Sequence, residues 1–274
     1  ASQQGIIWTD IDVWSMTYQS QPYIFSFNKI SSGCGLIGPH AAAVMRGTTF
    51  WMNTGNFFAM TGSGVEPLPC SVWDVVFQDI NTTHQQKCVA APNSTFDEIW
   101  FFYPSAANGA TECDSYVKYN LQEKSWDYGS MQRSAWIDQS VLGQPIGATS
   151  NGIIYQHETS PNADGQVMNS WFETGYFVMA EGQSMSFVDW FFPDFKFGEY
   201  GDTAGATILT TITAVDYPNG TERVYGPFTM NQAKSYINCR LRGRQIKLKF
   251  ESNDLDSFWR LGLMRYRMNA DGRR

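Results

Sequence analysis

Ala41-Ala-Ala-Val-Met45, Arg46-Gly47, Thr48-Thr-Phe-Trp-Met52, Asn53-Thr-Gly-Asn56 and Phe57-Phe-Ala-Met60 follow one another without a gap. They read as three short strands joined by two turns. Each apolar run is four or five residues long, too short for a stable helix, and is bounded by residues that favour turns. Arg46-Gly47 and the Asn-Thr-Gly-Asn segment supply the positive φ that tight hairpins need. A meander of this kind decides the fold class: all-β, built from antiparallel hairpins.

The same grammar continues on both sides. Gly5 to Met16 reads as two strands around Thr9-Asp10-Ile11-Asp12. Lys87–Ala91, Glu98–Tyr103, Ser115–Tyr119 and Trp126–Met131 read as four more, the last two joined by the polar turn Asn120–Ser125. Ile146–Thr149 turns at Ser150-Asn151-Gly152 into Ile153–His157. Aromatic strands centred on Trp8, Trp51, Trp100 and Tyr155 recur at spacings of 43, 49 and 55 residues. Units of three or four strands at about this length are the signature of propeller blades, so residues 1–157 are expected to form an incomplete β-propeller of three to four blades. One short amphipathic helix interrupts them. Val72, Trp73, Val76, Phe77 and Ile80 fall at helical spacing, Ser71 is positioned to cap the start, and Asn81 to end it.

Residues 158–166 are polar and turn-rich and are expected to be a linker. Beyond them the strands lengthen: Val167–Met179, Met185–Phe197 with a break near Pro193, and Thr207–Asp216 turning at Pro218-Asn219-Gly220 into Glu222–Tyr225. Residues 167–274 are expected to form an antiparallel β-sandwich with a basic C-terminal end. Arg240, Arg242 and Arg244 share the parity of Ile246, Leu248 and Phe250. One strand cannot point both sets the same way, so a turn or bulge is required at Gly243. The last strand is expected to alternate Trp259, Leu261 and Leu263 against Arg260.

Composition agrees with this class. Aromatic residues make up 15% of the chain and charged residues only 16%, which suits a large pleated core or a surface covered by neighbouring subunits. The formal net charge is −7, yet residues 240–274 hold 10 of the 19 Lys+Arg and 4 of the 26 Asp+Glu. An acidic body with a basic end points to charge-matched contact with a partner and away from a dedicated nucleic-acid binder. No apolar run reaches the length of a membrane span. The chain opens with Ala1 directly in strand-like sequence, which reads as a processed or excised piece of a longer polypeptide. Cys34, Cys70, Cys88, Cys113 and Cys239 are odd in number and have no short paired spacing, so free thiols are expected, as in a reducing cytoplasm.

His40, His84 and His157 are the only histidines, and none has a partner at ligand spacing, so neither a metal nor a cofactor site is expected. Asp10, Asp12, Asp97, Glu98 and Asp189 lie near aromatics. Either they are solvated turn residues or a pair of them converges as in glycoside cleavage. Trp100-Phe101-Phe102-Tyr103 and Trp190-Phe191-Phe192 fit a core or subunit interface, or a sugar-stacking platform. Asn162-Ala-Asp164-Gly reads as a plain turn.

Several stretches together carry a resemblance. They are Phe50-Trp51-Met52 with Phe57-Phe58-Ala59-Met60, Leu68 to Phe77, Glu98 to Ser105, Tyr116 to Asn120, Arg240 to Gln245, Trp259 to Gly262, and the Asp271-Gly-Arg-Arg274 terminus. In this order they resemble the C-terminal half of the tail nozzle, tail hub or tail tubular proteins of short-tailed double-stranded DNA bacteriophages. The motifs are structural and transfer no catalytic residue. The resemblance implies a virion protein of the viral tail, assembled in the host cytoplasm. It implies a propeller with accessory β domains in a homo-oligomeric ring, a hexamer in related tails. Its neighbours would be adaptor and portal-side tail proteins and tail fibres or spikes, with viral DNA passing through the lumen during ejection. Family members commonly have about twice this length, so other polypeptide would supply the remaining blades. Arg240, Arg242, Arg244, Arg273 and Arg274 are the candidate subunit interface, facing an acidic neighbour; a solvated basic strand face is the other reading. Two rival functions stay open, a receptor-binding tail component and a propeller-based polysaccharide depolymerase.

Overall fold

The computed structural model describes residues 4–179, 184–198 and 206–272. They are almost entirely β, in antiparallel sheets, and divide into two compact units, residues 1–159 and 160–274. Residues 158–166 do not stand apart from them. Glu158 accepts a 2.9 Å hydrogen bond from the Asn93 amide in the first unit. Asn162 exchanges hydrogen bonds with Asp256 in the second.

The first unit is a succession of four meander sheets. They are β1 (Gln4–Trp8), β2 (Asp12–Tyr18) and β3 (Phe25–Ser32); then β4 (Ala42–Met45), β5 (Thr48–Met52), β6 (Phe57–Thr61) and β7 (Gly64–Leu68); then β8 (Val89–Asn93), β9 (Glu98–Tyr103), β10 (Ser115–Asn120) and β11 (Ser125–Ser130); then β12 (Ala135–Ile137), β13 (Ile146–Ala148) and β14 (Ile154–Gln156). Each strand pairs only with its sequence neighbours, the arrangement of a propeller blade. The turns form as their chemistry dictates. Arg46 and Gly47 have φ of 49° and 79°, the two left-handed residues of a two-residue hairpin. Asn53 Oδ1 accepts from the amides of Gly55 and Asn56, both at 2.8 Å.

Strand alternation makes each inner sheet apolar on both faces. In the second sheet Trp51, Phe58, Met60 and Val65 meet Trp8, Val13 and Ile30 of the first sheet. Its opposite face, with Phe50, Met52, Phe57 and Ala59, meets Ile99, Phe101, Tyr103, Val117 and Tyr119 of the third. The far face of the third sheet, with Trp100, Phe102 and Tyr116, meets Trp136 of the fourth. All six residues of β9 are therefore buried. The first strands of the second and third sheets adjoin through a parallel bridge between His40 and Val89.

The aromatic repeat marks the sheets less regularly than its spacing suggests. Trp51 and Trp100 hold equivalent second strands, whereas Trp8 lies on a first strand and Tyr155 on a third. The helix α1 is shorter than the apolar spacing implies, Trp73–Phe77, and Ser71 does not cap it: the N-cap is Val72, with no side-chain cap bond. Packing holds it in place, with Val76 buried and Phe77 against Phe57 at 5.1 Å between ring centres.

The second unit is a sandwich. One sheet has the order β15/β16-β21-β18-β19, where β15 (Ser170–Glu173) and β16 (Phe177–Val178) pair end to end with β21 (Gln245–Ser252), followed by β18 (Ile208–Val215) and β19 (Arg223–Met230). The other is β20-β17-β22, from β20 (Ile237–Gly243), β17 (Ser186–Phe197) and β22 (Trp259–Ala270). Val188, Phe191, Cys239 and Leu241 from one sheet close over Ile212, Ile246, Leu248 and Phe250 from the other. Apart from β15 and β16, which share β21, only β18 to β19 stays within a sheet among the described strands; the other steps along the chain cross between sheets, the habit of a jelly roll.

The break at Gly243 is present and is larger than a bulge. β20 ends there and β21 begins at Gln245 in the opposite sheet. Crossing resets the parity, so Leu241 and Ile246 both face the core. A Cβ on Gly243 would lie 3.1 Å from the Ala214 Cβ and 3.2 Å from the Val215 carbonyl oxygen, so a side chain there crowds the crossing. Val167–Met179 holds two short strands rather than one. Met185–Phe197 is one strand, its register shifted between Pro193 and Phe195. That shift turns Leu263 outward and gives its core place to Met264.

Candidate functional site: open sheet faces and the arginine strand

The first and fourth sheets of the first unit cover a neighbour on one face only. In the first sheet, register places Ile7 opposite Trp14, Met16 opposite Phe27 and Tyr18 opposite Phe25. These side chains share the face turned away from the second sheet. Phe27 is 56% exposed and Tyr18 59%, although the ring pair Tyr18–Phe25 at 6.0 Å is of the kind found in cores. In the fourth sheet, Trp136, Gly147 and Tyr155 lie in register on the covered side, and Ala135, Ala148 and Ile154 on the other. Ile137 and Ile146 join them there, and Ile154 is 70% exposed. Contiguous apolar sheet faces of this kind mark interaction surfaces.

The covered side of the fourth sheet is polar at its margin. Arg133 Nε donates to His157 Nε2 at 2.8 Å, and its guanidinium lies 4.5 Å from the Tyr155 ring centre. Burial, reinforced by Arg133, pulls the His157 imidazole down to about 4. Between pH 4 and 6.5 the unfolded chain binds a proton that folded His157 refuses, so stability falls as pH drops through that window. The expected loss is on the order of 1 kcal/mol once partial solvent screening is allowed for. Urea titrations at pH 7 and pH 4.5 check this: His157→Gln should lessen the acid-side loss, and an unchanged loss would assign it to other groups.

Of the carboxylates named from sequence, Asp10 is exposed in the turn between β1 and β2, and the other four are engaged. Asp12 bonds Lys29 at 2.8 Å and Ser32 at 2.7 Å. Asp97 pairs with Arg46 and accepts from Gln122. Asp189 holds Arg267 through two bonds of 2.8 and 2.6 Å. Glu98 lines a small polar cavity of about 190 Å³ with Lys118, Asn120, Ser125 and Asp127. Its carboxylate accepts from the Trp100 indole at 2.9 Å and from Lys118 at 3.1 Å. Burial alone would depress the Lys118 ammonium, but Glu98 and Asp127 outweigh it and the group ends above its ordinary value. Asn162 and Asp164 lie in the turn preceding β15, with Asp164 at a φ of 52°. Among the described residues no cluster of three or more His, Cys, Asp or Glu is placed to hold a metal. All five cysteines are free.

The arginines named from sequence separate in space. β20 alternates buried Ile237, Cys239 and Leu241 with exposed Asn238, Arg240 and Arg242. Arg240 and Arg242 therefore share the outer face of the sandwich. Arg242 Nε bonds the Asp271 carboxylate at 2.6 Å, and its carbonyl accepts from Arg223 at 2.7 Å. Arg244 lies beyond the strand, at the crossing, with its guanidinium 4.8 Å from the Tyr217 ring centre. Arg273 and Arg274 lie outside the described residues. Arg260 points outward as its parity implied, whereas sequence parity missed that Arg265 and Arg267 of β22 also point outward from this sheet, because the β17–β22 register is set by a bulge.

No protein-family profile matches the chain, and no curated protein sequence matches it. Among solved structures it is similar to an exo-beta-1,3-galactanase from Phanerochaete chrysosporium with bound beta-1,3-galactotriose. The identity is 9%, with 94% of this chain and 68% of that chain covered at a TM-score of 0.18. A likeness at that score carries no argument about fold or activity.

Proposed function

We propose that this chain is a non-catalytic structural protein of a multi-subunit ring, of the tail nozzle kind found in short-tailed double-stranded DNA phages, through which a genome passes. The observation that carries the reading is the pair of uncovered apolar faces on the first and fourth sheets of the first unit. Inner sheets of the same unit bury both faces against their neighbours. Further blades of the same design, supplied by other polypeptide, would cover the two end faces in the same way and close the propeller.

Charge supports assembly with like subunits. Residues 1–159 carry 6 Lys+Arg against 13 Asp+Glu, whereas residues 160–274 carry 13 of each. The basic outer face of β20 is thus complementary to the acidic first unit of another copy. An acidic or neutral conduit also avoids a strong grip on phosphate, which a sliding genome requires.

The three arginines contribute differently. Arg240→Glu leaves the folded subunit intact and is expected to lower ring yield at least about tenfold through like-charge contact. Arg244→Glu acts within the subunit by removing the contact with Tyr217 and placing a carboxylate at the crossing. Negative-stain counts of rings beside thermal unfolding of the subunit separate the two. Full ring yield from Arg240→Glu would remove the arginine strand from the interface. Asp12, Asp97, Glu98 and Asp189 are each held by a cation, which weighs against these four as the acid–base pair of the depolymerase reading; Asp10 is exposed.

A further inference from the structure

Among the described residues, the sandwich leaves one strand position unfilled. Read in chain order, with β15 and β16 as one interrupted strand, its seven described strands are arranged 1-6-3-4 in one sheet and 5-2-7 in the other. A jelly roll has eight strands in two sheets of four. The vacant position lies beside β22, the twelve-residue strand at the edge of the smaller sheet. No described strand pairs with its outer edge.

Side chains around that position show the same gap. Phe172 of β15 sits opposite Phe250 on the core side of its sheet, yet Phe172 is 46% exposed while Phe250 is fully buried. On β22 the core-facing Leu261, Met264, Tyr266 and Met268 are only partly buried. On β17, next to it in the same sheet, Val188 and Phe191 are fully covered. An edge that no described strand pairs with and a half-covered core side coincide, as they do where β-augmentation takes place.

We infer that the outer edge of β22 receives an extended segment of a partner chain, apolar at alternate residues and acidic at the residues between. The apolar positions cover Phe172 and the inner side of β22. Intervening positions stand beside the exposed outward arginine Arg265, where an opposite charge directly across the ladder is favourable. This inference does not rest on the ring reading, since it concerns the second unit alone.

The test uses the full chain, extended after Arg274 by a flexible Gly/Ser linker and a segment of about ten residues alternating valine and glutamate, so that effective concentration replaces affinity. β22 runs toward the chain end, so the segment can fold back antiparallel to it. Amide hydrogen exchange along β22 should slow at least about tenfold relative to the same extension with proline in place of valine, which cannot continue a ladder. Arg265→Glu should reduce that protection, and exchanging glutamate for lysine in the segment should restore it. Equal exchange with the two extensions would overturn the inference, as would protection indifferent to the charge exchange at Arg265.

Discussion

Replacing Ile137 and Ile154 together by glutamate should abolish assembly while leaving the folded subunit intact. Both side chains lie on the uncovered face of the fourth sheet, 56% and 70% exposed. In the isolated chain the change touches solvent, and exposed substitutions usually alter stability by no more than about 0.5 kcal/mol. In the closed propeller the same positions would be buried. Each isoleucine then contributes about 1.5–3 kcal/mol of apolar burial, and an unpaired buried carboxylate adds a penalty of its own. A combined loss of several kcal/mol corresponds to more than a thousandfold in association, at about 1.4 kcal/mol per factor of ten. Phe25 and Phe27 on the first sheet should behave alike. Sedimentation velocity reads assembly, and urea unfolding of the subunit supplies the control. Normal assembly of the double variant would show that these faces stay in solvent.

The largest effect on the subunit itself is expected at Trp51. Its side chain is fully buried between the first and second sheets, and its indole donates to the Cys34 carbonyl at 2.8 Å. The ring meets Trp8 edge-on at 5.8 Å and stacks on Phe58 at 5.6 Å. Trp51→Ala removes the ring, leaves a cavity and strands a buried carbonyl, for about 4–5 kcal/mol. That is a large share of a typical domain stability of about 5–15 kcal/mol. Trp51→Phe keeps much of the packing and should cost about half as much. Urea midpoints of the three proteins check the order; a cost below about 2 kcal/mol for alanine would mean the first sheet is not firmly packed on the second.

The hairpins were legible because their signals are local. Arg46-Gly47 and Asn53-Thr-Gly-Asn56 carry their turn geometry in their own residues, and period-two alternation in Glu98–Tyr103 sorts Ile99, Phe101 and Tyr103 from Trp100 and Phe102. The parity conflict around Gly243 was legible too, since no single strand could satisfy it. Strands such as β3, β7 and β12 were missed. Phe25–Ser32 and Gly64–Leu68 have polar or proline-interrupted patterns, and long-range pairing forms them rather than local preference. The parity of Leu263 was misread because the bulge that inverts it appears only in the pairing of β22 with β17, about seventy residues earlier in the sequence.

Interaction surfaces were harder to read than the core. An isoleucine at an open face and one at a buried face look alike in sequence, so Ile154 and Ile99 differ only once the sheets are stacked. The arginine pattern had the opposite difficulty. Arg240, Arg242 and Arg244 look equivalent in spacing, yet the crossing sends them to different surroundings.

Electron cryomicroscopy of the assembled protein tests the central claim most directly. A reconstruction at side-chain resolution should show a further β-sheet face to face with Phe25 and Phe27 on the first sheet, and another against Ile137 and Ile154 on the fourth, closing a circle of blades. A lone subunit with both faces in water, and no ring at concentrations where the particle forms, would contradict it.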